Sequence, residues 1–354
     1  MSARPAVAVW SPLPPSPSGI ADYVAEQLPA LARHVDVRTV AAELDASGER
    51  GAVSADLDVY HVGNSPAHGW VYRAALRRPG VVVLHDWSLH QLVLCETVER
   101  GDVSSYLREM RRAHGETGSF LGRQVARALG GGILPALFPV NERLLEGALG
   151  VVALSQSTAA RVARRLPGRP LLHLRHHLSL PLDALPSRAE ARQALGLGEG
   201  PILTAPGLAT ATKGLQAAVR AAARLRTRHP GLRLVVAGGV EPGLPLADWA
   251  RDASLGDALV VTGRLDMADF VRHLCAADVV LALRFPSYGE MSGALVRALG
   301  VGRPALVSAG TPAAEEFPEG VVAVVDPGPA EPHELEAIVG HLLAHPQRAE
   351  AMGR

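Results

Sequence analysis

One lysine, Lys213, stands in a chain of 354 residues whose other side-chain cations, histidines aside, are arginines. In a composition that defaults to arginine, a lone lysine asks for a local reason. It closes the run Thr204-Ala205-Pro206-Gly207-Leu208-Ala209-Thr210-Ala211-Thr212-Lys213-Gly214, which leaves an apolar stretch and enters a helical pattern. Small residues and Gly207 let backbone come close to a ligand. A compact ammonium beside helix amides that lack helical partners suits a phosphate. The plainer alternative, a solvated surface cation, would more readily be an arginine in this chain.

A second stretch has the same layout. RFPSYGEMSGALVRALGVGRP, residues 284–304, follows the apolar run 279–283 and turns into a helix near Ala294. Two helix mouths and a lysine could share a diphosphate, each mouth favouring an anion by ~0.3–1 kcal/mol when exposed and up to ~2 when partly buried. Glu290, just before Ser292-Gly293, has the wrong sign for a phosphate. It would suit the neutral hydroxyls of a sugar, or act only as an acid complementing the helix dipole.

The N-terminal half offers three further turns. A proline-rich loop, Ser11 to Pro17, runs into Ser18-Gly19, where Ser18 can cap a helix, Gly19 can admit a ligand to free amides, and Asp22 falls in the first turn. An ordinary strand-to-helix turn explains the same residues. Tyr60-His61-Val62-Gly63-Asn64-Ser65-Pro66-Ala67-His68 ends a strand with clustered polar groups. Asp56 and Asp58 before it have the spacing of a metal-binding pair, but at the start of the strand. Finally, Val81 to His90 puts His85 at the end of a buried strand, with Asp86 able to hold a neighbouring loop and His90 a turn into the next helix. His85 as a core histidine satisfied by backbone remains the alternative.

The elements that must position these residues are short apolar strands alternating with amphipathic helices. Candidate strands span 6–10, 35–40, 57–62, 81–85, 151–154 and 171–175, then 202–205, 233–237, 259–262, 279–283, 305–308 and 321–325. Most are uniformly apolar, as parallel strands covered on both faces are. The pattern predicts an α/β chain of two doubly wound, Rossmann-like domains facing a cleft. Domain one would cover 1–180, a proline-rich linker with a capping box at Ser187 and Glu190 would cover 181–200, and domain two 201–354. Ligands in such sheets bind beyond the carboxyl ends of the strands, where all the turns above lie.

Composition narrows the classes. Hydrophobic residues make up 48%, and the formal net charge is zero, which gives no global pull toward nucleic acid or an anionic membrane. Two cysteines, Cys95 and Cys275, in apolar surroundings argue against a disulfide framework or a cysteine metal site and fit a reducing compartment. The N-terminal apolar run is too short for a signal peptide and no segment reaches membrane-spanning length, so a cytoplasmic protein is expected, with peripheral contact at the inner membrane face a further option.

Taken in order, Leu13-Pro14-Pro15, Ser18 to Tyr23, Gly63-Asn64, Leu84-His85-Asp86, Leu89-His90, Lys213-Gly214, Ala276 to Val279, Gly289-Glu290, Arg297-Ala298-Leu299 and Gly302-Arg303-Pro304 carry a resemblance. The chain resembles the retaining, GT-B fold glycosyltransferases of family 4, the glycosyltransferase group 1 type, over nearly its whole length. The resemblance implies transfer of a sugar from a nucleotide-diphosphate sugar to an acceptor hydroxyl with retained anomeric configuration, without a metal or other cofactor. It implies catalytic roles for His85, near the transferring sugar, Lys213, on the donor diphosphate, and Glu290, on the donor sugar. Donor contacts would come from Gly19, Gly207, Thr210, Lys213, Glu290, Met291, Ser292, Gly293 and Arg297. Asp22, Asn64, Asp86 and His90 would face the acceptor, a lipid-linked molecule or a growing glycan. The basic positions Arg108, Arg111, Arg112, Arg123 and Arg127 would meet an anionic acceptor or membrane, or only water.

Three departures stand against that pattern. Leu208 occupies the place of the arginine that usually follows the glycine of the first phosphate loop. Arg297 occupies the place of the second acid, which usually holds the nucleotide ribose, and Glu290 falls one residue off register. The chain ends at Met352-Gly353-Arg354, before the final helices the resemblance implies. A nucleotide-sugar-binding or scaffold protein with weakened catalysis, and a nucleotide-sugar epimerase of the same fold, therefore stay open. A nicotinamide oxidoreductase does not fit, because prolines stand where Gly-x-Gly-x-x-Gly would follow the first strand.

Overall fold

A computed structural model of the protein describes residues 4–16, 18–40 and 54–353; Pro17 and Arg354, named above, lie outside the described residues. Among the described residues, twelve strands form two sheets. The first holds β1 (Ala6–Trp10), β2 (Asp36–Val40), β3 (Leu57–Val62), β4 (Val81–Leu84), β5 (Gly150–Ala153) and β6 (Leu171–His173). The second holds β7 (Ile202–Pro206), β8 (Arg233–Ala237), β9 (Leu259–Val261), β10 (Val279–Ala282), β11 (Ala305–Ser308) and β12 (Val322–Val325). Every pairing is parallel, in the orders β2-β1-β3-β4-β5-β6 and β12-β11-β10-β7-β8-β9.

Strand composition explains the arrangement. β4 reads Val-Val-Val-Leu, β10 reads Val-Val-Leu-Ala, and all five residues of β7 are buried. Such strands expose apolar side chains on both faces, so helices must cover both. One core gathers Tyr60, Leu84, Leu92, Tyr106 and Met110; another gathers Leu203, Leu225, Leu234, Leu281 and Val339. Truncating one of these leucines to alanine would cost about 2–5 kcal/mol.

The chain divides into two compact units. One runs to His176 and includes Tyr288–Met291; the other comprises His177–Ser287 and everything from Ser292 onward. The proline-rich stretch 181–200 lies in the second unit, where Ser187 and Glu190 form the expected capping box before the Arg188–Leu195 helix. The acids spaced like a metal pair serve the first sheet instead. Asp56 accepts from the Ala6 amide at 2.8 Å, and Asp58, buried, accepts from the Trp10 indole at 2.8 Å and pairs with Arg78 at 2.6 Å.

In each sheet the strand order reverses beside the first strand, between β1 and β3 and between β7 and β10. Chain leaving neighbouring strands there diverges to opposite faces and opens a crevice at the carboxyl ends. The turns singled out by residue chemistry follow these strands and β4.

Candidate functional site

In the second unit the crevice is built from the turns after β7 and β10. Gly207 adopts φ +80°, and a Cβ on it would lie 3.0 Å from the Lys213 Nζ, so glycine is what lets the ammonium approach. Lys213 donates from Nζ to the Pro206 carbonyl at 2.7 Å and from its amide to Thr210 O at 3.1 Å. Gly214, at φ +60°, opens the Leu215–Arg226 helix, and no side chain caps it. Thr210 and Thr212 share a hydroxyl contact of 3.1 Å. Arg284 then ties the two turns together: its guanidinium donates to Thr212 Oγ1 at 3.2 Å, its amide to Ser308 Oγ at 2.9 Å, and the next amide, of Phe285, to Thr212 O at 2.6 Å.

Beyond β10, Ser292 caps the Gly293–Gly300 helix by accepting from the Leu295 amide at 3.2 Å. Arg297 is 7% exposed and turns back along this helix, donating to Gly293 O at 3.3 Å. Leu208, at the position where a phosphate-binding arginine was expected, is 53% exposed. A cavity of about 560 Å³ adjoins the same loop at Gly214, lined by Arg220, Glu241, Trp249, Phe285 and Glu331. It does not include Lys213, Ser292, Gly293 or Arg297.

The first unit assembles the other candidates. Ser18 caps the Gly19–Leu31 helix by accepting from the Ile20 amide at 3.2 Å, with Asp22 in its first turn. Gly19 is exposed, with open space where its Cβ would be. His85 follows β4 and is 8% exposed; its Nε2 lies 3.0 Å from Nδ1 of His61, itself 2% exposed. Tyr23 meets the His85 ring edge-on at 5.1 Å and the His176 ring at 4.8 Å, and burial pushes its hydroxyl up to about 12. His68, fully buried, contacts His61 O through Nδ1 at 3.0 Å, and burial lowers its pKa to about 4 despite that bond.

Asp86 accepts the Asn64 amide at 2.7 Å, and Asn64 in turn accepts the Leu92 amide at 3.1 Å, so these two hold the loop after β3 against the His90–Glu96 helix. His90 differs from the expectation that it faces an acceptor. It is 0% exposed, its ring nitrogens meet Phe138 O at 2.6 Å and the Tyr106 hydroxyl at 2.7 Å, and burial lowers its pKa. Buried at that depth, it braces the helix from below.

Glu290 and Met291 also belong to the first unit. The Ser88 amide donates to Tyr288 O at 2.8 Å, and Gly289, at φ +81°, packs where a Cβ would lie 2.4 Å from that of Trp87. Glu290 folds back to accept the Tyr288 amide at 2.7 Å, and Met291 packs on the cluster of Val7, Val9, Tyr23 and Val83.

The structure thus gathers Gly207, Thr210, Lys213, Ser292, Gly293 and Arg297 on neighbouring turns of one unit, and Gly19, Asp22, Asn64, His85, Asp86 and Glu290 in the other. Reading the sequence missed His61, Tyr23 and His176 around His85, and Arg284 beside Lys213. His61 sits one residue from the end of β3, as His85 sits one past the end of β4, and it is the pairing of these strands, which residue type and spacing do not state, that brings the two together. Among the described residues no group of three metal-ligating side chains is placed to hold an ion, and no helix is long and apolar enough to cross a membrane.

The family model described as glycosyl transferases group 1 matches residues 187–354. That stretch, a little under half of the chain, is similar to group 1 glycosyl transferases. Lys213, Ser292, Gly293 and Arg297 all lie within it. A GDP-mannose-dependent α-(1-6)-phosphatidylinositol monomannoside mannosyltransferase of Mycolicibacterium smegmatis is 28% identical over 236 residues, 64% of this chain. The matched region spans 61% of that relative's length. Among solved structures, a sucrose-phosphate synthase from Thermosynechococcus elongatus superposes with TM-score 0.66 at 18% identity, covering 99% of this chain and 92% of its own. Anabaena HepE, solved with UDP and glucose, gives 0.63 at 16% identity over 99% and 92%. WaaG, from lipopolysaccharide biosynthesis, gives 0.60 at 16% over 98% and 92%. At such identities the likeness is one of fold: a GT-B chain with two Rossmann-like sheets.

Proposed function

We propose that the protein is a retaining glycosyltransferase that moves a sugar from a nucleotide-diphosphate sugar to an acceptor hydroxyl, with the donor held by residues 187–354. The observation that carries this is the placement of the chain's one lysine. Lys213 stands in the turn after β7, beside an uncapped helix mouth; the neighbouring strand β10 leads into the Ser292-capped helix, and both lie in the stretch that matches group 1 glycosyl transferases. A departing nucleoside diphosphate gathers negative charge, and preorganised amides with an ammonium stabilise it without reorganising at the moment of reaction. In this reading those groups, with Arg284 adjacent, supply the charge that a metal supplies elsewhere. His85 and Glu290 meet the transferring sugar. Arg297 tunes the nucleotide end from within its helix.

The acceptor falls to the first unit. Val103–Val125, two helical stretches broken at Gly115, and the chain after it carry Arg108, Arg111, Arg112, Arg123 and Arg127 together with exposed Phe120, Leu129 and Leu137, Leu129 being 69% exposed. Arg111 and Arg112 pair with Glu116 and Glu146, while Arg123 and Arg127 have no ionic partner among the described residues. Basic and exposed apolar groups along one stretch of chain suit a lipid-linked acceptor in an anionic membrane. A second reading, donor binding with little turnover, draws on the exposed Leu208 and the turned-back Arg297.

The test is a panel of GDP-, UDP- and ADP-sugars, with and without hydroxyl acceptors, including lipid-linked ones in anionic vesicles. Release of nucleoside diphosphate is followed and the product's anomeric configuration is read by NMR. Turnover that survives EDTA, retains configuration and falls at least about tenfold in Lys213→Ala and His85→Ala is expected, since a hydrogen bond to a charged group is worth ~1.5–3 kcal/mol. Donor binding without turnover would select the second reading. No binding of any donor, or equal binding by Lys213→Ala, would overturn both.

A further inference from the structure

We infer that His61 is a positioning residue for His85, fixing the tautomer and the plane of its ring; the inference rests on the reading above that His85 faces the transferring sugar. The two rings meet through His61 Nδ1 and His85 Nε2 at 3.0 Å, a hydrogen-bond distance between two atoms that are each donor or acceptor but never both. One proton must lie between them. If His61 supplies it, His85 is neutral with its hydrogen on Nδ1; if His85 supplies it, the hydrogen is on Nε2. Either way the states of the two rings are tied together, because both rings protonated at these nitrogens would set N–H against N–H.

His61 is placed to dictate rather than follow. It is 2% exposed, inside β3, and its carbonyl accepts from the Nδ1 of His68, a fully buried residue kept neutral by burial. His85 lies one residue beyond β4, tied by its amide to Val62 O at 3.0 Å. Tyr23 closes the group from the helix side, its ring 5.1 Å from His85 and 6.1 Å from His61. His85 therefore meets Tyr23 edge-to-face and holds one nitrogen against His61, which ties its ring state to that partner. A group meant to act on a sugar hydroxyl or on a developing positive charge needs that definition, since the wrong tautomer presents a donor where an acceptor is required.

Two variants separate positioning from packing. His61→Asn can still offer a polar atom near the place of Nδ1; His61→Leu keeps bulk without a hydrogen bond. For His61→Leu, kcat is expected to fall by about tenfold to a hundredfold, with nucleoside diphosphate affinity unchanged, while His61→Asn stays within roughly threefold of wild type. The ¹⁵N spectra of the His85 ring give the second readout: one tautomer in wild type and His61→Asn, a mixture in His61→Leu. If His61→Leu does not fold, His61→Phe takes its place with the same readouts. Unchanged turnover and an unchanged His85 tautomer in the apolar variant would overturn the inference. So would equal losses in both variants that track their melting temperatures. If wild type transfers no sugar, the reading of function fails, and the ring spectra alone decide whether His61 sets His85.

Discussion

A Cβ added to Gly19 would meet open space, whereas one added to Gly207 would lie 3.0 Å from the Lys213 ammonium at a backbone φ of +80°. The two glycines therefore separate ligand approach from internal strain. Gly19→Ala has no structural reason to destabilise and would gain up to about 1 kcal/mol through a stiffer unfolded chain. Any loss of donor affinity in it must come from the ligand. Gly207→Ala would cost about 1–2 kcal/mol for the left-handed backbone alone and displace the lysine as well. Thermal melts paired with nucleoside diphosphate titrations should show affinity lost in both and stability lost only in the second; wild-type affinity in both would detach these glycines from the donor. Lys213 was legible because it broke the chain's own compositional rule. His61 was not, because its meaning depends on lying across from β4, which residue type and spacing do not state.

At the scale of elements, the twelve strands were legible as apolar runs, and structure moved their ends by a residue or two. The Tyr288–Met291 stretch was not legible as part of the first unit, since its membership follows from the Ser88 hydrogen bond and the packing of Met291 rather than from any local pattern. The Glu331–Ala344 helix offers a test of competing fields. Glu331 opens it, where the dipole favours a carboxylate, yet burial first and then Glu334 raise its pKa to about 7. The folded state thus holds a proton that the unfolded chain releases near its ordinary value of 4.5. Stability from this group is present at low pH and is lost as pH rises through 7. Glu331→Gln should melt higher than wild type at pH 8 and equally at pH 4. Equal melting at both would mean that the helix N-terminus outweighs burial.

For the molecule as a whole, both sheets were foreseeable as doubly wound because every site turn follows a strand and opens toward a helix. What holds the first one at neutral pH includes His68, neutral inside the fold. Its pKa of about 4 lies below the ordinary 6.5, so the unfolded chain takes up a proton first as pH falls. The contribution is intact above pH 6.5 and is lost on acidification toward 4, amounting to about 2 kcal/mol at pH 5 and 3 at pH 4. Denaturant unfolding followed through Trp10, Trp70 and Trp87, all in the first unit, should weaken more between pH 7.5 and 5 in wild type than in His68→Asn. Parallel curves would place the acid sensitivity elsewhere.

The single lysine also makes the site readable without any chemistry. A lysine-specific endoprotease has one bond to cut in this chain, between Lys213 and Gly214, at the turn where the candidate donor loop becomes a helix. Cleavage would give two fragments of known size, and the fraction left whole would report how often that loop is occupied, for any compound added, active donor or not.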